Sequence, residues 1–213
     1  MADPRTLAAL RALVAAWSPS DARTGAAAPT GVPALDTALG GGLPGGLLTE
    51  LVCPPGAGGQ LVLARLLETS RAARQRVALI DATDGFAPEA VPPDALHHLV
   101  WVRGRSLAEA LGAADILVRD GNYAVVLLDL RDVPAAALQR TPATVWHRLH
   151  RAVEPQPAAG LVLSRHGLVP AVRRRLVLEA TWTADTPCTP QAERAARLQV
   201  RAVRGLQHEA LTA

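Results

Sequence analysis

The sequence predicts an α/β fold: a mostly parallel central sheet flanked by helices, with an antiparallel hairpin at its C-terminal end. Three observations predict it. Val77–Ala82 and Tyr123–Leu130 (YAVVLLDL) read as nearly continuous apolar runs, the mark of strands covered on both faces. Such runs alternate with stretches of helical period, the order of a layered α/β domain. Only near the end does strict alternation set in. There Leu176, Leu178, Ala180 and Trp182 interleave with Val177, Glu179 and Thr181, which marks a strand with one wet face.

The elements follow in order. Leu7, Leu10, Val14 and Trp17 stand three and four residues apart, the stripe of a short amphipathic helix. Ser18-Pro19-Ser20-Asp21 stops it, and residues 18–30, rich in Ala, Pro, Ser and Gly, read as a linker. The chain therefore divides into an N-terminal helix with its linker, residues 1–29, and a core domain, residues 30–213. In the core, Pro33 to Leu39 form a short helix, and a glycine-rich turn at 40–46 leads into a strand over Leu47–Val52. A helix is expected from Gln60 to Arg74, then strands at Val77–Ala82 and Leu99–Val102. Ser106 and Glu109 form a capping box ahead of a helix carrying Leu107, Leu111, Ala114 and Val118, which Gly121 ends. The strand Tyr123–Leu130, a helix over Thr144–Val153 and a strand over Gly160–Ser164 follow. The hairpin pairs the Leu176 segment with Leu198, Val200 and Ala202 across a connection at 183–192.

At 213 residues and 49% hydrophobic, the chain can bury one sizeable core. All 22 basic residues are arginine, the net charge is +3, and aromatics make up 3%. That charge permits nucleic-acid contact without requiring it. Cys53 and Cys188 follow no metal-ligand spacing, and His97-His98 or His147 with His150 lack companion ligands, so no metal and no cofactor is expected. Reduced thiols, the lack of a secretory signal pattern at the N-terminus and the lack of any run near the ~18 apolar residues of a membrane span point to a cytoplasmic protein away from the membrane.

The most informative segment is Cys53-Pro54-Pro55-Gly56-Ala57-Gly58-Gly59-Gln60. It lies against the phosphate-loop pattern G-x-x-x-x-G-K-[ST], in which backbone N–H groups close on phosphates, lysine reaches them, and a hydroxyl holds Mg²⁺. Cys53 replaces the first glycine, Gly59 stands at the lysine position and Gln60 at the hydroxyl position. Gly56 and Gly58 keep the shape of the loop while its charge and metal ligand are gone. Asp129, closing the run Ala124–Leu128, has the context of the carboxylate that would hold the metal. Asp81 ends its strand in the same way.

Thr30-Gly31-Val32-Pro33-Ala34-Leu35-Asp36, Leu39–Gly42, Leu43-Pro44-Gly45-Gly46 and Leu48–Pro55 together resemble the lead-in to the core of RecA-family ATPases, over roughly residues 28–182. The resemblance implies a RecA-like core in which Ala78–Asp84 is the next strand and catalytic segment. There a glutamate two residues after the aspartate would activate water, and Thr83 holds that place. A γ-phosphate-sensing glutamine is likewise replaced near Ser164-Arg165-His166. Within the family, Leu99–Arg103, the helix with Ala108–Leu111, the RDGNYAVVLLDL run and the short terminal strand pair resemble the ImuA proteins, RecA-like accessory proteins of bacterial mutasomes. That implies a pseudo-ATPase in SOS-induced error-prone translesion synthesis, working alongside an ImuB-like inactive relative of Y-family polymerases and an error-prone replicative-type polymerase, with RecA, DNA and homo-oligomers as options. SulA-like inhibitors of FtsZ, or a RecA-like ATPase with a divergent loop, are the alternatives. Arg173, Arg174, Arg175, Arg201 and Arg204 are candidate DNA contacts. The stripe Leu7, Leu10, Val14 and Trp17 resembles the way RecA-family proteins reach a neighbouring subunit, and is the candidate partner contact.

Overall fold

The computed structural model describes residues 27–170, 172–180, 182 and 189–203. The stripe Leu7, Leu10, Val14 and Trp17, and Arg204, lie outside the described residues. Seven strands form one sheet: β1 Leu48–Val52, β2 Val77–Asp81, β3 Leu99–Arg103, β4 Val125–Asp129, β5 Ala159–Ser164, β6 Arg174–Glu179 and β7 Gln199–Val203. Their order is β3-β2-β4-β5-β1-β6-β7. Every neighbouring pair is parallel except β6 with β7, which is antiparallel. The expected mostly parallel sheet with a C-terminal antiparallel hairpin is therefore what the chain builds.

The helices are α1 Pro33–Leu39, α2 Gly59–Ala72, α3 Leu107–Asp120, α4 Ala135–Arg140, α5 Ala143–Val153 and α6 Gln191–Ala196. They cover the two faces separately. On one face α1, α2 and α6 enclose Leu51, Leu79, Leu127 and Leu161. On the other, α3, α4 and α5 enclose Ile80, Leu128, Val162 and the fully buried Trp146. Buried aliphatic side chains contribute roughly 1.5–3 kcal/mol each relative to exposure, so a core built of Leu, Val and Ala holds with few aromatics. Strands β1, β2, β4 and β5 are buried at every residue, as the apolar runs of β2 and β4 require; β1 buries Thr49 and Glu50 as well. The outer strand β3 is only partly covered.

Two short helices depart from expectation. Residues 135–140, for which the sequence predicts no element, form α4 after Pro134, and α6 begins at Gln191, after Pro190, at the end of the hairpin connection. Six-residue helices are too short to stand alone. Leu138 and Ala195, both buried, pin them to the core.

The lead-in at residues 30–36 is a lock. Asp36 Oδ1 accepts from both the N–H and the hydroxyl of Thr30, and Oδ2 accepts from Gly31 N–H. Gly31 has φ +73° and sits so close to α2 that a Cβ there would collide with Thr69 Oγ1; only glycine meets both demands. Before it, Ala28 pairs with Leu43 in an isolated antiparallel bridge. The motif therefore fixes where the chain meets the C-terminal half of α2, beside Arg65 and Thr69.

Candidate functional site: a glycine-rich loop covered by an arginine

Parallel sheets place their loops for ligands at the carboxyl ends of the strands. Four meet here: the loop after β1, Asp81 at the end of β2, Asp129 at the end of β4, and Ser164-Arg165 at the end of β5. Between them lies a cavity of about 720 Å³ lined by the loop, Arg131, Asp132, Arg165, Trp182 and Arg194, among others.

The glycine-rich loop keeps its shape. Gly58 takes φ +92° to start the fourteen-residue helix α2, a backbone conformation that residues with a Cβ avoid. Ala57 N–H bonds back to Pro54 O, closing the turn. The N–H groups of the first helical turn have no intrahelical partner, so α2 directs its N-terminus at the cavity. The C-terminal segment presses on the loop from above. Trp182 Nε1–H donates to Gly56 O, and a Cβ at Gly58 would lie 3.0 Å from both Trp182 and Leu198.

The positive charge beside the loop comes from elsewhere in the chain. Arg131, two residues beyond Asp129, grips that carboxylate with both edges of its guanidinium. Nε lies 2.9 Å from Oδ1 and Nη2 lies 2.6 Å from Oδ2. The Arg131 N–H adds a third bond to Oδ1 at 3.1 Å. Nη2 also reaches Gln60 Oε1 at 3.4 Å. Position 59 is covered: a Cβ there would meet Arg131 Nη1 at 2.9 Å and Cys53 Cβ at 3.2 Å. One side chain thus spans positions 59 and 60 and the Asp129 carboxylate. Burial disfavours its charged form, but the Asp129 carboxylate outweighs that and holds the guanidinium above its ordinary pKa. Gln60 is anchored at its other end, donating from Nε2 to Ala87 O at 3.2 Å. Cys53, buried beneath, has its thiol pushed up to about 12 by burial; Arg131 opposes the shift and Asp129 adds to it. A protonated thiol is a poor nucleophile and a poor metal ligand.

The second carboxylate is also engaged. Asp81 Oδ1 accepts from Thr83 and Gly85 N–H, and Oδ2 from Phe86 N–H at 2.8 Å, so it organises its own loop. Thr83, two residues after Asp81, offers no carboxylate. Asp84 turns away at φ +58° to pair with Arg103, which holds its carboxyl below the usual range. Arg103 in turn lies over the Trp101 ring at 5.0 Å. Arg165 pairs with Asp132 at the cavity rim. Among the described residues, no group of three or more His, Cys, Asp or Glu is arranged to hold a metal ion.

The arginines singled out as DNA contacts do not form one free face. Arg175 is turned inward: its Nε lies 2.6 Å from Oε2 of the fully buried Glu50, and its Nη2 lies 2.7 Å from Val169 O. Glu50 Oε1 accepts from the Ser164 hydroxyl at 2.6 Å. Arg174 donates to Leu39 O, Arg173 pairs with Glu154, and Arg201 pairs with Glu179. Sequence reasoning missed Arg131 and Glu50. The spacing Asp129-Leu130-Arg131 was the available signal for the first. A glutamate inside an apolar strand was the signal for the second.

No family model matches the chain. It is 35% identical over 106 residues to the RecA protein of Frankia alni, covering 48% of this chain and 31% of that protein. It is 32% identical over 112 residues to the DNA repair and recombination protein RadB of Thermococcus kodakarensis, covering 47% of this chain and 50% of that protein. A crystal structure of the RadB recombinase superposes with a TM-score of 0.57 at 20% identity, covering 73% of this chain and 84% of that one. The fold is RecA/RadB-like. The matched region spans only about a third of the RecA relative and half of the RadB relative. Within that RecA-like core no helix among the described residues is long and apolar enough to cross a membrane.

Proposed function

We propose that this chain is a catalytically inactive RecA-like accessory protein of SOS-induced error-prone translesion synthesis, of the ImuA type, acting by binding other proteins. The observation that carries the inactive half is the Arg131 side chain. It covers position 59, bonds Gln60 and takes both oxygens of Asp129, so Asp129 is not free for Mg²⁺. Phosphoryl transfer works through positioned cations and a placed water, and Thr83 and Asp84 supply no base for that water. The DNA-repair half is supported by the relation to RecA and to a DNA repair and recombination protein, together with the ImuA-like segments.

In this role the chain binds an ImuB-like polymerase relative and RecA, in the cytoplasm, without a cofactor and without ATP. DNA contact, where it occurs, draws on Arg173, Arg174 and Arg201, each exchanging a local partner for a phosphate. A pulldown of the full chain against the ImuB-like protein and FtsZ of the same organism tests this, with ATP and without. Retention of the ImuB-like partner in both conditions is expected. Capture of FtsZ alone would put a cell-division inhibitor in its place.

One observation favours a second reading. The Arg131 guanidinium sits at the lysine position, so it could supply the missing charge to a phosphate if Asp129 released it. Saturable Mg-ATP binding with turnover, lost in Asp129→Asn, would establish that residual ATPase.

A further inference from the structure

We propose that the cavity over the emptied loop is a docking pocket for an acidic segment of a partner protein. A carboxylate of that segment is held by Arg194 and Arg165, and a neighbouring apolar side chain lies against Trp182, Leu61 and Ala90. This rests on the reading of the chain as a binding protein without nucleotide turnover, and it names the surface and the chemistry of the partner.

Charge complementarity selects an anion. Three arginines and one aspartate line the cavity. Arg131 is committed to Asp129, and Arg165 shares Asp132. Arg194 has no ion pair among the described residues, and its Nε is buried without a hydrogen-bond partner. A buried donor left unmatched is costly, and a guanidinium fork is matched by the two oxygens of a carboxylate. Asp132, half-exposed, can yield its share of Arg165 to an incoming carboxylate with little penalty, because exposed ion pairs are weak.

The walls select a peptide over a metal-bound phosphate. Pro54, Pro55, Leu61, Ala87 and Ala90 line the cavity with apolar surface. The Trp182 ring is held in place by its bond to Gly56 O, so little side-chain freedom remains to be lost on binding. The lysine position is covered and the metal-site carboxylate is engaged. A volume of about 720 Å³ is within the range of sites that enclose a few side chains.

Fluorescence anisotropy of the full chain tests it, using an array of fluorescein-labelled pentapeptides that pair Asp or Glu with Leu, Phe or Trp, in EDTA. Saturable binding of acidic–apolar peptides is expected, falling at least about tenfold in Arg194→Ala and further in Arg194→Glu. It should stay unchanged in Arg148→Ala, on the opposite face of the sheet. Thermal midpoints confirm that each variant is folded. Binding of no peptide, or equal loss in Arg148→Ala, overturns the proposal. So does tighter binding of pyrophosphate or ADP than of any peptide, which would make the cavity a phosphate site. If peptides fail while the ImuB-like partner is still captured without ATP, the pocket assignment falls alone. ATP hydrolysis would instead remove the reading it rests on.

Discussion

Two arginine–carboxylate pairs sit at the same end of the sheet, on strands separated by β5, and they do different work. Glu50 is fully buried, and its oxygens meet Ser164 of β5, Arg175 of β6 and the Val169 N–H. The pair stitches three neighbouring strands and secures the segment after β5. Asp129 receives all three of its bonds from one residue two positions away, and its partner opens onto the cavity. The first pair is a long-range tie and belongs to the fold. The second is a local pair that fills a site, and removing it changes what the cavity can bind more than whether the chain folds.

That contrast can be broken by substitution. The largest effect is expected for Glu50→Ala or Arg175→Ala, each leaving a buried charge without its counterpart. A loss of about 3–5 kcal/mol in denaturant unfolding follows. Replacing both by apolar residues of similar size should recover part of it, because the desolvation of the pair disappears with the pair. Arg131→Ala should cost less, about 1–3 kcal/mol, since Asp129 can rehydrate through the cavity. A loss equal to that of Arg175→Ala would erase the distinction between the two pairs.

Trp182→Ala comes next, at about 1 kcal/mol for the bond to Gly56 O. Its signature is local: amide exchange across residues 56–61 should rise while that of β4 and β5 stays the same. Exchange rising throughout the sheet would mean that the hairpin supports the whole core. The smallest effect is expected for Arg201→Ala, below about 1 kcal/mol, because its pair with Glu179 is exposed. If DNA is bound, the same variant should weaken it evenly across sequences and flatten its salt dependence.

Much of this was legible in the residues. The central strands β2 and β4 show as nearly continuous apolar runs, and the hairpin shows as alternation. The lead-in at 30–36 is legible because its requirements are local: a glycine forced by a close approach, and an aspartate returning to the N–H groups five and six residues before it. Ser106 caps α3 by accepting from Glu109 N–H, as the capping box predicts. The short helices α4 and α6 were not legible, because six residues carry too little periodic signal and form only when Leu138 and Ala195 find the core.

The sequence by itself determined the fold class and the subtraction at the loop: glycine at 59, glutamine at 60, and a chain without lysine. These are facts of residue type at fixed spacing along one loop. Only the tertiary structure decided what took their place. Arg131 reaches position 59 because β4 and β1 end side by side across β5. Trp182 covers the loop because the chain between β6 and β7 returns to the loop, where α6 packs on α2, and Arg175 leaves the apparent arginine cluster because Glu50 waits inside the sheet. Side-chain charges act through space over a few ångströms, and those distances are set by strand order, which linear spacing does not encode.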